Sequence, residues 1–348
     1  MNVPKLRFKE FNDEYVKLKY KDVLKIKSGK DQKQVENKNG KYPILGTGGQ
    51  IGKTNSFLYD KPSVLIGRKG TINKPQYMES PFWTVDTLFY SHIYEPNIPK
   101  YLFYSFQNVN WKKYDESTGV PSLSSSTIEN VECNIPSPNE QIKVANFLSL
   151  LDKKIELQTK KIEDLKLFKL SKYSSVFSKS NNKIKLSDIC IIEKGKQINS
   201  DLLIEKGNYY MLNGGILPSG YLNEYNTNEN TITISEGGNS CGYVNFNKTK
   251  FWCGGHCYKI ISSSVNSSYL YHLLKHNEKI IMDLRVGSGL PNIQKKDLEA
   301  LKLSIHKNDE QLKIGILFDT FDKKINLEAK KLNKFKELKK ALMQVMFV

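Results

Sequence analysis

The stretch NEQIKVANFLSLLDKKIELQTKKIEDLKLFK, residues 139–169, returns as DEQLKIGILFDTFDKKINLEAKKLNKFKELK, residues 309–339. The two copies align without a gap at a spacing of 170 residues. Both carry Glu-Gln near the start, Asp-Lys-Lys-Ile in the middle and Lys-Lys after it. Self-similarity over a segment of this length indicates a duplication, so the chain is expected to consist of two related halves.

Both copies are typical of long helices with an apolar seam. Apolar residues recur at spacings of three and four, interrupted by Gln158 in the first copy and by Glu328 in the second. The predicted seam residues are Leu148, Leu151, Ile155, Ile162, Leu165, Phe318, Phe321, Ile325, Leu332 and Phe335. In the first helix, Ser137 is predicted as the N-cap, Pro138 as the first helical residue and Glu140 as the capping-box partner. We expect the two helices to pack antiparallel as a coiled coil, each seam covering the other.

The segments in front of the two helices repeat as well. STGVPSL (117–123) matches GSGLPNI (287–293), PFWTVDTLFY (81–90) matches KFWCGGHCYKI (250–260), and KLKYKDVLKIKSGK (17–30) matches KIKLSDICIIEKGK (183–196). These segments contain short strand-like runs between turn residues, with a few helices. One short helix is predicted from Ser126 and Glu129, which stand at capping-box spacing.

These patterns predict an α+β fold with an internal pseudo-twofold repeat. Two globular modules are separated by two long antiparallel coiled-coil helices. The predicted boundaries are 1–136 and 181–306 for the modules, and 137–180 and 307–348 for the helices.

The stretch ILGTGGQIGKT, residues 44–54, ends in Gly-Lys-Thr, as a phosphate-binding loop does. That loop needs glycine where this chain has Thr47, and a helix where the sequence continues with a turn-and-strand pattern. The other half has matching glycines in YYMLNGG (209–215) without Gly-Lys-Thr. We therefore interpret the glycines as a tight turn after a strand.

The chain is strongly basic, with 53 Lys and Arg against 36 Asp and Glu, a formal net charge of +17 and only three arginines. This balance favours a polyanionic partner, with nucleic acid the commonest and an acidic membrane surface the alternative, although a composition rich in lysine and asparagine would give the same excess. The sequence has neither an apolar leader nor a run of 18 apolar residues. We expect a cytoplasmic protein that does not associate with a membrane.

Five scattered cysteines do not form a disulfide framework, which fits a reduced compartment. Cys241, Cys253, His256 and Cys257 are residue types that bind metals, but their spacing matches no paired zinc knuckle. The interpretation we favour is that two of the cysteines are small strand residues, which can be buried, and that no metal site is formed. Metal binding by the four residues remains the alternative.

The order of these features resembles the specificity subunits of type I restriction-modification systems. Two unlike modules each end in a Gly-x-Pro turn, which is followed by Glu-Gln and a lysine-rich helix, and VPKLRFKEF (3–11) is similar to that family's N-terminus. The resemblance implies a host-defence subunit whose two target-recognition domains each read one half of a bipartite asymmetric site in double-stranded DNA. It also implies that the helices dock two methyltransferase subunits, which bring S-adenosylmethionine. Whether two ATP- and Mg-dependent restriction subunits join them stays open.

In this interpretation the chain binds no cofactor and has no catalytic residue. No Asn/Asp-Pro-Pro-Tyr/Phe methyltransferase box is present, and no proline is followed by aspartate. Two alternatives remain, namely a self-contained DNA-modifying enzyme and a coiled-coil adaptor that does not read DNA.

Candidate DNA contacts are basic and polar residues in loops, mostly beside turn glycines, because lysines suit phosphates whereas base reading needs groups on loops. They are Lys30, Arg68, Lys69, Thr71, Ser117, Thr118, Ser122, Lys196, Arg285, Ser288 and Asn292. For the two arginines, the alternative is solvated surface charge. For the Ser, Thr and Asn residues of the two Gly-x-Pro turns, it is helix capping. Trp83 and Trp252, which match in both halves, are predicted to lie in the core.

Overall fold

The computed structural model describes residues 2–79, 81–180, 182–287 and 289–348. The chain divides into two compact units: unit 1 comprises the residues up to Thr159 together with Lys330–Val348, and unit 2 comprises Lys160–Ala329. Each unit therefore contains one globular module and a part of both long helices. The boundaries predicted from sequence, which give the long helices segments of their own, stay a prediction.

The strands of unit 1 form small sheets. They are β1 (Val16–Lys19), β2 (Leu24–Lys27), β3 (Tyr42–Gly46), β4 (Gly49–Thr54), β5 (Ser63–Gly67), β6 (Gln76–Met78), β7 (Trp83–Thr84), β8 (Leu88–Ile93) and β9 (Glu132–Ile135). The largest sheet has the order β2-β8-β5-β6 and is antiparallel. A second has the order β4-β3-β7 with β3 and β7 parallel, and β1 pairs with β9.

The strands of unit 2 repeat this arrangement. They are β10 (Asn182–Lys185), β11 (Cys190–Lys194), β12 (Tyr209–Leu212), β13 (Gly220–Leu222), β14 (Thr231–Ser235), β15 (Val244–Asn247), β16 (Trp252–Cys253), β17 (Cys257–Ser263) and β18 (Lys302–Ile305). Their sheets have the orders β11-β17-β14-β15, β13-β12-β16 and β10-β18. The duplication thus extends through the whole module, including the parallel pairing of β12 with β16.

Most of the helices also repeat. The helices are α1 (Tyr20–Val23), α2 (Pro99–Asn108), α3 (Ser125–Asn130), α4 (Pro138–Phe177), α5 (Leu186–Ile189), α6 (Ser267–His276), α7 (Glu278–Asp283), α8 (Lys295–Ala300) and α9 (Asn308–Met346). Of these, α7 has no α-helical counterpart among the described residues of unit 1. The long helices α4 and α9 have 40 and 39 residues. Among the described residues, no helix is both long enough and apolar enough to cross a membrane.

Within each unit the two long helices run antiparallel. In unit 1, Asp152 of α4 pairs with Lys339 of α9 at 2.6 Å, and Lys154 lies over the ring of Phe335. The corresponding ion pairs in unit 2 are Lys161–Glu328 and Lys169–Asp322. Residue numbers rise along α4 while those of the partners fall along α9, so the helices are antiparallel. The predicted α+β fold with two modules and two long antiparallel helices is confirmed.

The predicted seam residues are all buried or half-buried, and Leu148, Ile162 and Phe318 are buried. Leu148 shares the core of unit 1 with Met343 of α9. Phe318 shares the core of unit 2 with Tyr173 of α4. The long helices therefore contribute to the cores of the modules as well as to their own seam.

The capping box predicted for the short helix α3 is wrong. The N-cap is Ser124, whose hydroxyl accepts from the backbone N–H of Thr127 at 3.0 Å, so Ser126 lies inside the helix. Glu129 is buried and accepts a hydrogen bond from the backbone N–H of Ile26 at 2.8 Å. The Glu129 carboxylate therefore binds a residue far away in sequence, and not the N-cap that the local pattern predicted.

The start of α4 follows the sequence only in part. The helix begins at Pro138, as predicted. The Glu140 carboxylate, however, accepts hydrogen bonds from the guanidinium of Arg7 and the hydroxyl of Tyr15. It holds the beginning of the chain against the helix instead of serving as a capping-box partner.

The glycine-rich stretch at 44–54 forms the hairpin of β3 and β4. Gly46 lies opposite Gly49, which has a φ of +114°, a conformation that favours glycine. Lys53 and Thr54 lie on β4, paired with Pro43 and Tyr42 of β3. The prediction of a tight turn after a strand is confirmed.

Candidate nucleic-acid interface

Several loops of unit 1 are joined by hydrogen bonds into one group, which we call loop cluster 1 (residues 28–30, 67–71, 84–87 and 115–123). The backbone N–H of Arg68 donates to the carbonyl of Thr87 at 2.8 Å, and that of Lys30 to the carbonyl of Thr84 at 2.9 Å. The 115–123 loop joins them because Leu123 donates its N–H to the carbonyl of Arg68 at 2.9 Å. The structure thus brings Lys30 and Arg68 together around the 84–87 turn.

The Lys30 loop is fixed from two sides. The indole N–H of Trp83 donates to the carbonyl of Lys30 at 2.9 Å, and the ring itself is buried, as predicted. A Cβ atom on Gly29 would lie 2.0 Å from the carbonyl oxygen of Val85, so only glycine permits this close approach. The Lys30 side chain is exposed. Its backbone is therefore held in place while its ammonium group can reach a ligand.

Arg68 and Lys69 follow β5 and are both exposed. Lys69 forms a backbone bridge with Ser122, which ties the end of β5 to the 115–123 loop. Within the described part of the chain, no ion pair is formed by either basic side chain. Thr71 lies next to Gly70, which has a φ of +85°, and is half-buried. This edge of the cluster presents two cations that are available to an anionic partner.

The polar residues of the 115–123 loop have different environments. The Asp115 carboxylate accepts from the backbone N–H of Ser122 and from both the N–H and the hydroxyl of Ser117. These hydrogen bonds, that of Ser122 first, lower the pKa of Asp115. Ser117 and Ser122 thus help to shape the loop, a role that the sequence analysis did not foresee. Thr118 is exposed.

Unit 2 contains the matching loop cluster 2 (residues 195–197, 213–215, 235–238, 253–256, 285–287 and 289–293). The backbone N–H of Lys196 donates to the carbonyl of Cys253 at 2.9 Å, and the indole N–H of Trp252 donates to the carbonyl of Lys196 at 2.9 Å. A Cβ atom on Gly195 would lie 2.2 Å from the carbonyl oxygen of Gly254. The exposed Lys196 is therefore held as Lys30 is.

Arg285 and Asn292 belong to the same cluster. Arg285 is exposed and precedes Val286, whose backbone exchanges two hydrogen bonds with that of Asn292, at 2.8 and 3.0 Å. Asn292 also forms a bridge with Gly237. The remaining candidate, Ser288, lies outside the described residues.

The structural counterpart of Arg68 is Glu236, and not the second arginine. Ile293 donates its backbone N–H to the carbonyl of Glu236 at 2.8 Å, as Leu123 does to Arg68. The bridge between Gly237 and Asn292 likewise matches the one between Lys69 and Ser122. The two clusters share one backbone frame and carry opposite charges at this position.

Glu236 was missed in the sequence analysis. Its carboxylate pairs with Lys194 at 2.6 Å and accepts a hydrogen bond from the Tyr258 hydroxyl at 3.2 Å. The signal that could have found it is the alignment of SVLIGRKG (63–70) with TITISEGG (231–238), which puts it directly under Arg68.

Cys253, Cys257 and His256 of unit 2 differ in how far they are buried. Cys253 and Cys257 are buried at the ends of β16 and β17, as predicted, in a small core with Phe251. His256 is exposed, with its Nδ1 3.8 Å from the carboxylate of Glu236. Among the described residues, no group of three or more His, Cys, Asp or Glu side chains is arranged to hold a metal ion.

Comparison with known proteins identifies the family. The family model of the type I restriction modification DNA specificity domain matches residues 12–167 and again residues 179–337. These two matches cover most of the chain, one in each half. The protein therefore belongs to the family of type I restriction-modification specificity subunits and carries two copies of the specificity domain.

Named relatives agree with this assignment. The type I restriction enzyme MjaIX specificity subunit of Methanocaldococcus jannaschii is 25% identical over 332 residues, 82% of this chain and 77% of that protein. A putative type I specificity subunit of Mycoplasma pneumoniae is 34% identical over 144 residues, 40% of this chain. A putative type I specificity subunit of Mycoplasma genitalium is 31% identical over 138 residues, 38% of this chain. The aligned stretches span only 38% and 36% of the two Mycoplasma proteins.

Solved structures share the fold. The crystal structure of a type I restriction-modification S subunit from M. genitalium matches with a TM-score of 0.74 at 20% identity, covering 99% of both chains. A chain from a study of complex assembly and conformational transition of the type I R-M system matches with a TM-score of 0.58 at 14% identity, covering 94% of this chain and 96% of that one. At such identities the likeness is one of fold.

Proposed function

We propose that this chain is the DNA-recognition subunit of a type I restriction-modification complex and that each module reads one half of a bipartite, asymmetric site. The observation that carries the proposal is the pair of loop clusters, which share one backbone frame but differ in side chains. The exposed Arg68 of unit 1 can donate two hydrogen bonds to a guanine. The equivalent Glu236 of unit 2 has no donor, and its carboxylate is paired with Lys194 with only 13% of the side chain exposed, so it cannot make the same contact. Equivalent frames with different chemistry favour two different half-sites.

The charge of the chain supports duplex DNA as the ligand. Lys30 and Lys196 stand at equivalent positions with fixed backbones and exposed side chains. We assign them to phosphate contacts, which position a protein on the duplex without reading sequence. The net charge of +17 favours the same ligand through long-range attraction.

The long helices offer repeated apolar positions for docking. Leu157 in unit 1 is 57% exposed, and Leu327, 170 residues further along in unit 2, is 58% exposed. Exposed leucines that recur on a helix surface favour a protein contact, and their repetition favours two copies of one partner. We propose that this partner is the methyltransferase subunit. It would supply S-adenosylmethionine and the chemistry, while this chain supplies recognition in the cytoplasm.

The proposal is tested by binding the complex of this chain and its methyltransferase partner to duplex DNA at increasing salt. The logarithm of the binding constant should fall linearly with the logarithm of the salt concentration, by a slope of about 0.9 for each neutralised phosphate. A flat response would contradict the role of the basic surface, and no binding would favour a protein adaptor. Methyl transfer by this chain alone would favour a self-contained enzyme.

A further inference from the structure

The beginning of the chain, residues 2–11, which we call the N-terminal segment, is bound to the surface of unit 1. Its Arg7 forms a two-pronged ion pair with Glu140 of α4, from Nε to Oε1 at 2.8 Å and from Nη2 to Oε2 at 2.7 Å. The ring of Phe8 contacts that of Phe147 edge-on, with centroids 5.8 Å apart. The carboxylate of Glu10 pairs with Lys143 at 2.6 Å.

Three side chains on successive turns of α4 thus hold the N-terminal segment. A carboxylate binds the arginine, an apolar ring receives the aromatic residue, and an ammonium group pairs with the acid. The contact is close, since only 1% of the Glu140 side chain remains exposed. The arginine is further fixed by the carbonyl of Asp13, which accepts from Nη2 at 2.6 Å.

Unit 2 carries an equivalent set of side chains 170 residues later, on α9, with a leucine in place of the phenylalanine. Glu310 corresponds to Glu140, Lys313 to Lys143 and Leu317 to Phe147. Glu310 and Lys313 are both exposed, and Leu317 is 40% exposed. Within the described part of the chain, no ion pair reaches either charged group.

A cavity of about 580 Å³ lies at this place in unit 2. Its lining includes Glu310, Lys313 and Ile314 of α9, Ile305, His306 and Lys307 before that helix, Val176 at the end of α4 and Lys179 just after it. In unit 1, Val144 occupies the position equivalent to Ile314 and is buried. Ile314 is only half-buried. The groove in unit 2 therefore has the charges and the apolar floor of a segment-binding site and is open where its counterpart is covered.

We propose that this groove binds a segment of another protein with the chemistry of residues 7–10, namely an arginine, an adjacent aromatic residue and an acidic residue three positions after the arginine. The chain's own N-terminal segment defines that chemistry, because it satisfies the matching side chains in unit 1. A second copy of this chain is the weaker candidate. Each copy has one N-terminal segment and two grooves, one on each unit. If a segment left its own groove to bind the unit 2 groove of another copy, the number of open grooves would stay the same. The inference does not depend on DNA reading.

The test uses the full chain and a fluorescent peptide of residues 3–11, VPKLRFKEF. Saturable binding of one peptide per chain is expected. Glu310→Gln should weaken it about tenfold, since a charge-assisted hydrogen bond contributes on that order, and so should alanine in place of Arg7 in the peptide. Glu224→Gln is the matched control, because Glu224 is an exposed glutamate of unit 2 outside the groove. That variant should bind as the unaltered chain does.

Three results would overturn the proposal. One is the absence of saturable binding, and another is binding that Glu310→Gln leaves unchanged, which would put the peptide elsewhere. The third comes from sedimentation of the chain alone. Self-association that disappears in Glu310→Gln would show that the occupant is a second copy of the same chain.

Discussion

The carboxylate of Asp152 pairs with the ammonium group of Lys339 at 2.6 Å. The residues related to them by the 170-residue repeat, Asp322 and Lys169, also pair, at 2.5 Å. Each half of the chain thus provides the carboxylate of one pair and the lysine of the other. This reciprocity is what a duplicated helix produces when its two copies pack antiparallel, and it gives each unit its own copy of the contact.

Removing the pair in unit 1 should destabilise the chain only modestly. The side chains of Asp152 and Lys339 are 38% and 15% exposed, so solvent screens their attraction. The Tyr104 hydroxyl donates to the same carboxylate at 2.7 Å. We expect Asp152→Ala to lower the free energy of unfolding by about 1–2 kcal/mol, of which about 0.5–1 kcal/mol is coupled to Lys339.

A double-mutant cycle with Lys339→Ala, followed by urea unfolding, measures that coupling. Lys340→Ala is the control, because this neighbouring lysine is exposed and has no ion pair within the described residues. A coupling energy of zero would show that the pair does not contribute to stability.

Unit 2 should lose stability in mild acid because of His272. The Nε2–H of this buried imidazole donates to the Asp319 carboxylate at 3.1 Å, and its Nδ1 accepts from the Tyr173 hydroxyl at 2.7 Å. Asp322 and Lys169 also lie near it. Burial lowers its pKa, and the hydrogen bond with Asp319 opposes the shift only in part. The unfolded chain therefore binds more protons than the folded chain as the pH falls through about 6.5, and the free energy of unfolding falls with it.

Urea unfolding at pH 7 and pH 5.5 checks this expectation. His272→Gln should reduce the loss between the two values, whereas His276→Gln reports the share of a second histidine whose pKa burial also lowers. A pH dependence identical in the unaltered chain and in His272→Gln would rule out this histidine as the cause.

The fold was largely predictable from the repeat, because apolar spacing and matched turns are local features of sequence. The long helices, the β3–β4 hairpin and the buried Trp83 follow from such features. Glu140 and Glu129 were assigned to helix caps because their true partners, Arg7 and Ile26, lie more than 100 residues away. Sequence alone did not reveal that the open groove at Glu310 matches a covered one in unit 1.

The two tryptophans should support their own half-sites independently. Trp83→Phe removes the indole N–H that holds the Lys30 carbonyl, and Trp252→Phe does the same for Lys196. Each lost hydrogen bond should weaken DNA binding by about 1 kcal/mol, which is roughly fivefold. Binding is measured on duplexes in which one half-site at a time is altered. Each variant should lose discrimination at one half-site only, and equal losses at both would show that the loops do not act separately.

Arg68→Ala should relax the preference for one base pair by about 1–3 kcal/mol if the guanidinium contacts a base edge. If it contacts a phosphate, all sequences should weaken alike and the salt slope should fall by about 1. Competition binding with single-base variants of the site separates these results. Lys5→Ala, a change at an exposed lysine outside loop cluster 1, is the control. If the affinity for every sequence stays unchanged, Arg68 does not contact DNA and is a solvated surface charge.

The central claim is that each module reads its half-site by itself. Residues 17–135 extend from the second residue of β1 to the end of β9, and these two strands pair with each other, so replacing the segment by that of a relative exchanges a module with all of this sheet except Val16. The most direct measurement is the sequence that becomes methylated in a host carrying this exchanged chain. One half of the methylated site should change while the other half stays the same, and a change in both halves would contradict independent reading by the two modules.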